Sequence, residues 1–163
     1  MPETFADALP EGYEESLSWL LGESFRAHLG AMREAVGDMP HGPRGFEALS
    51  AAAHETPRNQ AELAKRLGLD RTVMVYLIDD LEAAGLVERV PDPKDRRSKL
   101  IRATTAGMIR LCELRKVTAA AEAELLAGFS PAEAELLRSL LQRIVARSPR
   151  RYDQGHDCRK DEC

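Results

Sequence analysis

The sequence predicts a mainly α chain with a small β-wing, and three observations predict it. Aromatic residues make up only 5% of the chain, while Ala, Leu, Glu and Arg are abundant, a composition that leans towards helix. Within residues 60–104, two helical patterns flank a tight turn, Gly68-Leu69-Asp70. The second places Met74, Leu77, Ile78 and Leu81 at i, i+3, i+4 and i+7, one buried stripe of an amphipathic helix. Two strand-like runs follow, residues 86–90 and 99–103, separated by Pro91-Asp92-Pro93-Lys94-Asp95-Arg96-Arg97-Ser98. Two prolines and two aspartates make that segment a turn. Two helices about a tight turn, followed by a ribbon, form a winged helix-turn-helix.

Each element has its own justification. Residues 1–12 are polar and proline-bounded and read as a flexible arm. Residues 13–36 form the first long helix, with Leu17, Leu20, Leu21, Phe25, Leu29, Met32 and Val36 at helical spacing. Glycines and prolines over 37–45 break it, completing a unit of residues 13–45. A short helix over 46–54 opens the winged helix-turn-helix domain, residues 46–104. Thr56-Pro57 marks the next boundary, and residues 59–67 give the first helix of the reading head, with Leu63, Ala64 and Leu67 turned inward. Asp70 caps the reading helix and Gly85 stops it.

After the wing, residues 105–126 read as a long helix with Met108 or Ile109, Leu111, Cys112, Leu114, Ala121 and Leu125 as apolar positions. Ser130-Pro131-Ala132-Glu133 starts another: serine caps, proline sits first, and glutamate reaches back. Leu136, Leu137, Leu140, Leu141, Ile144 and Val145 give that helix a wide apolar face. The N- and C-terminal helices together carry more apolar surface than a small reading head can cover. Residues 105–147, with 13–45, are therefore expected to form a helical dimerisation body. Residues 148–163 are charged and aperiodic and are expected to be a disordered tail.

Charge points to the wing. The chain is acidic overall, with net charge −4, yet residues 86–102 hold six basic residues against three acidic ones. A basic projecting loop can reach phosphates and a narrow minor groove, and the local field outweighs the global sign. No apolar run approaches the roughly 20 residues that span a bilayer. No secretory signal opens the chain, and three cysteines are not a disulfide framework. The expected location is the cytoplasm, with no membrane partner.

Leu63 to Leu69, Val73 to Arg89, Asp92-Pro93-Lys94-Asp95-Arg96-Arg97 and Arg102-Ala103-Thr104-Thr105-Ala106-Gly107 together resemble MarR-type transcriptional regulators. The Asp-Pro-x-Asp-Arg-Arg wing, then a strand and a Thr-x-x-Gly helix start, is the most specific part. The resemblance covers about residues 14–147. It implies a homodimer that binds palindromic double-stranded DNA operators, commonly as a repressor, and is released by a small-molecule effector or by oxidation.

On the reading helix, Arg71, Thr72, Val73, Val75 and Tyr76 fall off the buried stripe. Glu, Lys or Gln would suit plain solvent there, whereas apolar groups can touch thymine methyls and Arg71 can bond phosphate or guanine. Many relatives carry threonine and arginine where Val75 and Tyr76 stand. In the wing, Lys94, Arg96, Arg97 and Lys99 are the DNA-binding candidates. One arginine projects while the other pairs with Asp92 or Asp95 to support the turn; the resemblance favours Arg96 as the tip, supported through Asp95. The bland alternative is a solvated charged hairpin. For an effector pocket between the dimer helices and the reading head, the candidates are Trp19, Phe25, His28, Phe46 and Met74, each of which could equally be core.

Other functions have less support. No phosphate-cradling glycine loop, His-x-x-x-His or Ser-His-Asp order occurs, so neither catalysis nor a cofactor is expected. Cys112 lies on an apolar helix side, where a buried thiol is inert. The family's peroxide-sensing branch keeps its cysteine early in the first long helix, where this chain has none. His156, Cys158 and Cys163 could make the tail a metal- or thiol-responsive element, but one His-x-Cys is thin, and no metal site is expected. A winged-helix protein-interaction module without DNA binding is the remaining alternative, and it would carry an uncharged or acidic wing.

Overall fold

The turn at Gly68 forms as its residue types dictate. In the computed structural model, which describes residues 9–54, 58–95 and 97–147, Gly68 takes φ 63° and ψ 31°, the left-handed region that suits glycine. It ends α3 (Gln60–Leu67), and Asp70 then caps α4 (Arg71–Ala83) by accepting from the Thr72 amide at 2.7 Å. All four stripe residues, Met74, Leu77, Ile78 and Leu81, are buried. At the far end the Leu86 amide donates to the Leu81 carbonyl and the Gly85 amide to that of Glu82, each at 2.9 Å. Gly85 sits at φ 72°. This paired closure of a helix needs a left-handed residue.

The remaining elements wrap this pair. α1 (Leu17–Val36) and α2 (Pro43–Ala52) precede it. β2 (Val87–Pro91) and β3 (Lys99–Ala103) form the antiparallel ribbon, with Val87 opposite Ala103 and Pro91 opposite Lys99. α5 (Thr105–Leu125) and α6 (Pro131–Ala146) close the chain. The core gathers Leu49 from α2, Leu63 from α3, the α4 stripe, Val87, Ile101, and Leu111 and Leu114 from α5. Pro91 is tolerated because β2 is an edge strand, where a missing amide costs no ladder bond.

Several expectations need correction. A third strand, β1 (Arg58–Asn59), pairs antiparallel with β3, Arg58 opposite Ile101 and Asn59 opposite Leu100, and the sheet order is β1-β3-β2. Asn59, expected to be helical, instead caps α3 and shares a capping box with Glu62. The first helix starts at Leu17 rather than at residue 13, because Ser16 caps it. The short helix starts earlier than residue 46, at Pro43, which occupies its first turn. On α1 only Met32 and Val36 are buried, while Leu17, Leu21 and Phe25 are exposed. The core is thick enough to cover only the second half of α1. Ile109 is 61% exposed; Leu111 and Leu114 face inward as expected, and Thr118 joins them.

The start of α5 is locked to the end of α4. Thr104 caps α5 by accepting from the Gly107 amide at 3.0 Å, and its hydroxyl donates to the Gly85 carbonyl at 2.6 Å. The Thr104 amide donates to Leu86 O at 3.0 Å. Gly107 lies so close that a Cβ there would collide with that same Leu86 carbonyl. The Thr-x-x-Gly pattern thus joins reading helix, wing and body at one point. Gly107→Ala is expected to cost about 3 kcal/mol or more by overpacking, lowering Tm by about 6–12 °C in calorimetry. An unchanged Tm would show that α5 can slide off this joint.

Candidate nucleic-acid interface and effector cavity

α4 presents two faces. Opposite the buried stripe, Arg71, Thr72, Val73, Val75 and Tyr76 are all exposed, Tyr76 to 63%. Asp70 is held below the ordinary aspartate value by the hydrogen bond it accepts from the Thr72 amide, and next by that from Val73. A depressed folded-state pKa adds stability above the unfolded value and loses it as pH falls through the folded one. The cap is therefore at full strength at neutral pH and fades below the ordinary value of 3.8. Asp70→Ala should lower Tm at pH 7, and the gap to wild type should narrow as pH falls below that ordinary value. A gap constant across that range would assign the loss to something other than the carboxylate.

The wing uses its charges in two ways. Arg89 turns back towards α4, bonding Glu82, Asp79 at 2.5 Å and Gln60 of α3 at 3.3 Å. Burial works against its charge, but the hydrogen bonds it donates to Asp79 and Glu82 outweigh it and hold its pKa above arginine's ordinary value. Arg102 pairs with Glu88 directly across the ribbon at 2.7 Å. Two of the six basic wing residues are thus spent on holding the wing to the reading head and the strands to each other. Lys94, Arg97 and Lys99 are exposed and make no ion pair among the described residues. Arg96 lies outside the described residues.

Among the described residues, backbone bonds and no arginine ion pair hold the wing turn. Asp92 accepts from the Lys94 amide at 2.8 Å and Asp95 from the Arg97 amide at 3.0 Å. The Ser98 amide donates to the Asp95 carbonyl and the Asp92 amide to that of Ser98. Aspartate makes such turns because its short carboxylate reaches an amide two residues on. No ion pair joins Arg97 to either aspartate among the described residues.

Between α1, α2 and α5 lies a cavity of about 750 Å³. Phe25, Leu29, Met32 and Phe46 supply its apolar walls, and His28, Arg33, His41 and Arg44 its basic ones, with Glu47 and Glu122 also present. Three of the five expected pocket residues, Phe25, His28 and Phe46, meet here. Met74 is placed in the core at 0% exposure, because it is the first residue of the α4 stripe. Trp19 sits near the start of α1 beside Tyr13, ring centroids 5.6 Å apart. Sequence reasoning missed Arg33, His41 and Arg44: one is off the α1 stripe, and two sit in or just after the glycine–proline break.

Among the described residues no helix is long and apolar enough to cross a membrane, and no group of three or more His, Cys, Asp and Glu could hold a metal ion. His156, Cys158 and Cys163 lie outside the described residues. Cys112 is half-buried rather than enclosed.

An exposed reading helix seated on a helix-turn-helix and flanked by a three-stranded wing defines the winged-helix class of DNA-binding regulators. Residues 46–98 match the family model described as MarR family. A MarR-family transcriptional regulator from Rhodococcus sp. RHA1 is 30% identical, superimposes with a TM-score of 0.74, and is matched over 83% of this chain and 96% of its own. CouR from Rhodococcus jostii RHA1, solved with p-coumaroyl-CoA, is 30% identical over 85% of this chain and 98% of its own, TM-score 0.73. The repressor CouR bound to a 23-mer DNA duplex matches at 29% identity and TM-score 0.76, over 84% of this chain and 98% of its own. The chain belongs to the MarR family of transcriptional regulators.

Proposed function

We propose that the protein is a homodimeric repressor that binds a palindromic operator and is released by a small-molecule effector. The observation that carries the DNA reading is the exposed set on α4, Arg71, Thr72, Val73, Val75 and Tyr76, set beside free wing cations. In this reading α4 enters the major groove, where valine and tyrosine contact thymine methyls and Arg71 a phosphate or guanine. Lys94, Arg96, Arg97 and Lys99 bind the flanking backbone or minor groove, and Asp92 and Asp95 hold the turn that presents them. The relative CouR is a repressor solved on duplex DNA, which supports the same use of this fold.

The dimer rests on surface that the single chain leaves open. α6 has no buried residue, and Leu136, Leu140, Leu141, Ile144 and Val145 are 41–58% exposed. Leu17, Leu21 and Phe25 of α1 are exposed as well. A second apolar groove of about 470 Å³, walled by Ala31, Ala35, Val117, Ala121 and Leu125, lies between α1 and α5. We assign residues 13–45 and 105–147 to a dimerisation body that covers these surfaces, and residues 46–104 to the DNA-binding domain.

For the effector, aromatic and aliphatic walls with several basic groups fit an aromatic anion, as pockets are mostly apolar with few polar anchors. CouR was solved with p-coumaroyl-CoA, an aromatic and anionic molecule. Selection of bound duplexes from a random DNA pool tests the core of the reading. Enrichment of an inverted repeat is expected; a chain that retains no duplex over competitor at low salt would refute it.

A further inference from the structure

We propose that His41 is a latch through which the effector cavity is read by the DNA-facing helix: an anion in the cavity takes the His41 Nε2–H from Asp80. This rests on the effector reading above and deepens it. His41 lines the cavity, and its Nε2 lies 2.7 Å from Asp80 Oδ2 on α4. A carboxylate can only accept, so Nε2 is the donor in this pair. No other described residue of the cavity lining is paired with a carboxylate of α4.

The backbone at this point is held in an uncommon state. His41 has φ 60°, the only non-glycine residue with positive φ among those described. Such a conformation costs about 1 kcal/mol or more and persists where the surroundings impose it. The Gly42 amide donating to the Met39 carbonyl at 2.8 Å, with Met39 buried, fixes the turn that aims the imidazole at α4.

The cavity favours an anion able to compete. Of its basic groups, Arg44 is paired with Glu47 at 2.7 Å and His41 with Asp80. His28 and Arg33 make no ion pair among the described residues. An aromatic carboxylate stacked among Phe25 and Phe46 would meet these two and reach His41. Glu47 of α2 and Glu122 of α5, also in the lining, disfavour a ligand with further negative charge. One N–H serves one acceptor well, so ligand and Asp80 exclude each other.

Losing that bond has a direct consequence for DNA. Asp80 is 62% exposed and lies four residues after Tyr76 and seven after Val73, on the same side of α4. Hydrogen-bonded to His41, its carboxylate is engaged by a donor on the cavity side; released, it faces the phosphates from one turn beyond Tyr76 and repels them. Ligand and DNA then oppose each other with reciprocal coupling, typically about 5- to 150-fold.

The test uses the full chain, the duplex selected from the random pool, and benzoate, cinnamate and p-coumarate with their uncharged amides as probes. At least one carboxylate should weaken duplex binding by wild type about fivefold or more, while its amide does not. Asp80→Asn should bind the duplex at least as tightly as wild type and no longer respond, and it should bind the carboxylate about fivefold tighter by calorimetry. His41→Leu should bind the duplex weakly with or without ligand. His41→Gln, which keeps a donor near the Nε2 position, should restore the response. Wild-type responses in Asp80→Asn and His41→Leu, equal carboxylate affinity in wild type and Asp80→Asn, or no response to any carboxylate would overturn the latch while leaving DNA binding intact. Failure of wild type to bind any duplex would instead overturn the DNA reading; the calorimetric comparison still decides the latch.

Discussion

Glutamates introduced together at Leu140 and Ile144 are expected to convert the protein to a single subunit and to abolish its binding to operator DNA. Both residues are more than two-fifths exposed, so the substitutions leave the core of the chain intact. Each apolar side chain covered in a dimer is worth about 1.5–3 kcal/mol. Two removed from each of two copies weaken association by about 10⁴-fold or more, before the cost of burying four carboxylates is added. A single reading head then reaches one half-site only, and the second half-site's contribution is lost. Sedimentation should show one subunit at micromolar concentration, with unaltered circular dichroism. A variant that still sediments as a pair would move the interface away from α6.

The second large effect is expected from the wing. Replacing Arg96 and Arg97 by alanine should weaken operator binding by about 100-fold or more and flatten its dependence on salt. Each phosphate contact contributes about 0.9 to the slope of log K against log salt, so removing four cations from a dimer should reduce it by about 3 to 4. Arg97 is exposed and, among the described residues, bonds the wing through its backbone amide alone, so loss of its side chain should not loosen the turn. An unchanged slope would take the wing out of the mechanism. Arg89→Ala, by contrast, should loosen the wing from α4, since it removes the guanidinium bonds to Asp79, Glu82 and Gln60 together and leaves only the backbone amide's bond to Glu82.

What was legible in the sequence is what local pattern encodes. The i, i+3, i+4, i+7 stripe named all four buried residues of α4. Ser130 and Glu133 form the expected capping box, because both partners lie within one turn. Contacts between elements were not legible. β1 has two residues, too few to show alternation, and it pairs with residues some forty positions on. Arg89 carried only a charge in the sequence; the carboxylates that claim it sit seven and ten residues earlier, across the end of a helix. Asp92 and Asp95 accept from backbone amides among the described residues, partners that composition cannot distinguish from arginines. The cavity showed the same limit: Phe25 and Phe46 were suggested by type, but His41 and Arg44 meet them only because the break after α1 folds back.

Two copies of this chain, joined through their terminal helices, are expected to present two α4 helices and two wings to one duplex. The mass of the complex formed with a selected duplex, measured by native mass spectrometry, tests this most directly. Two chains per duplex are expected, falling to no stable complex for the Leu140→Glu and Ile144→Glu double variant. One wild-type chain per duplex at saturation, or a double variant that still binds as two, would contradict it.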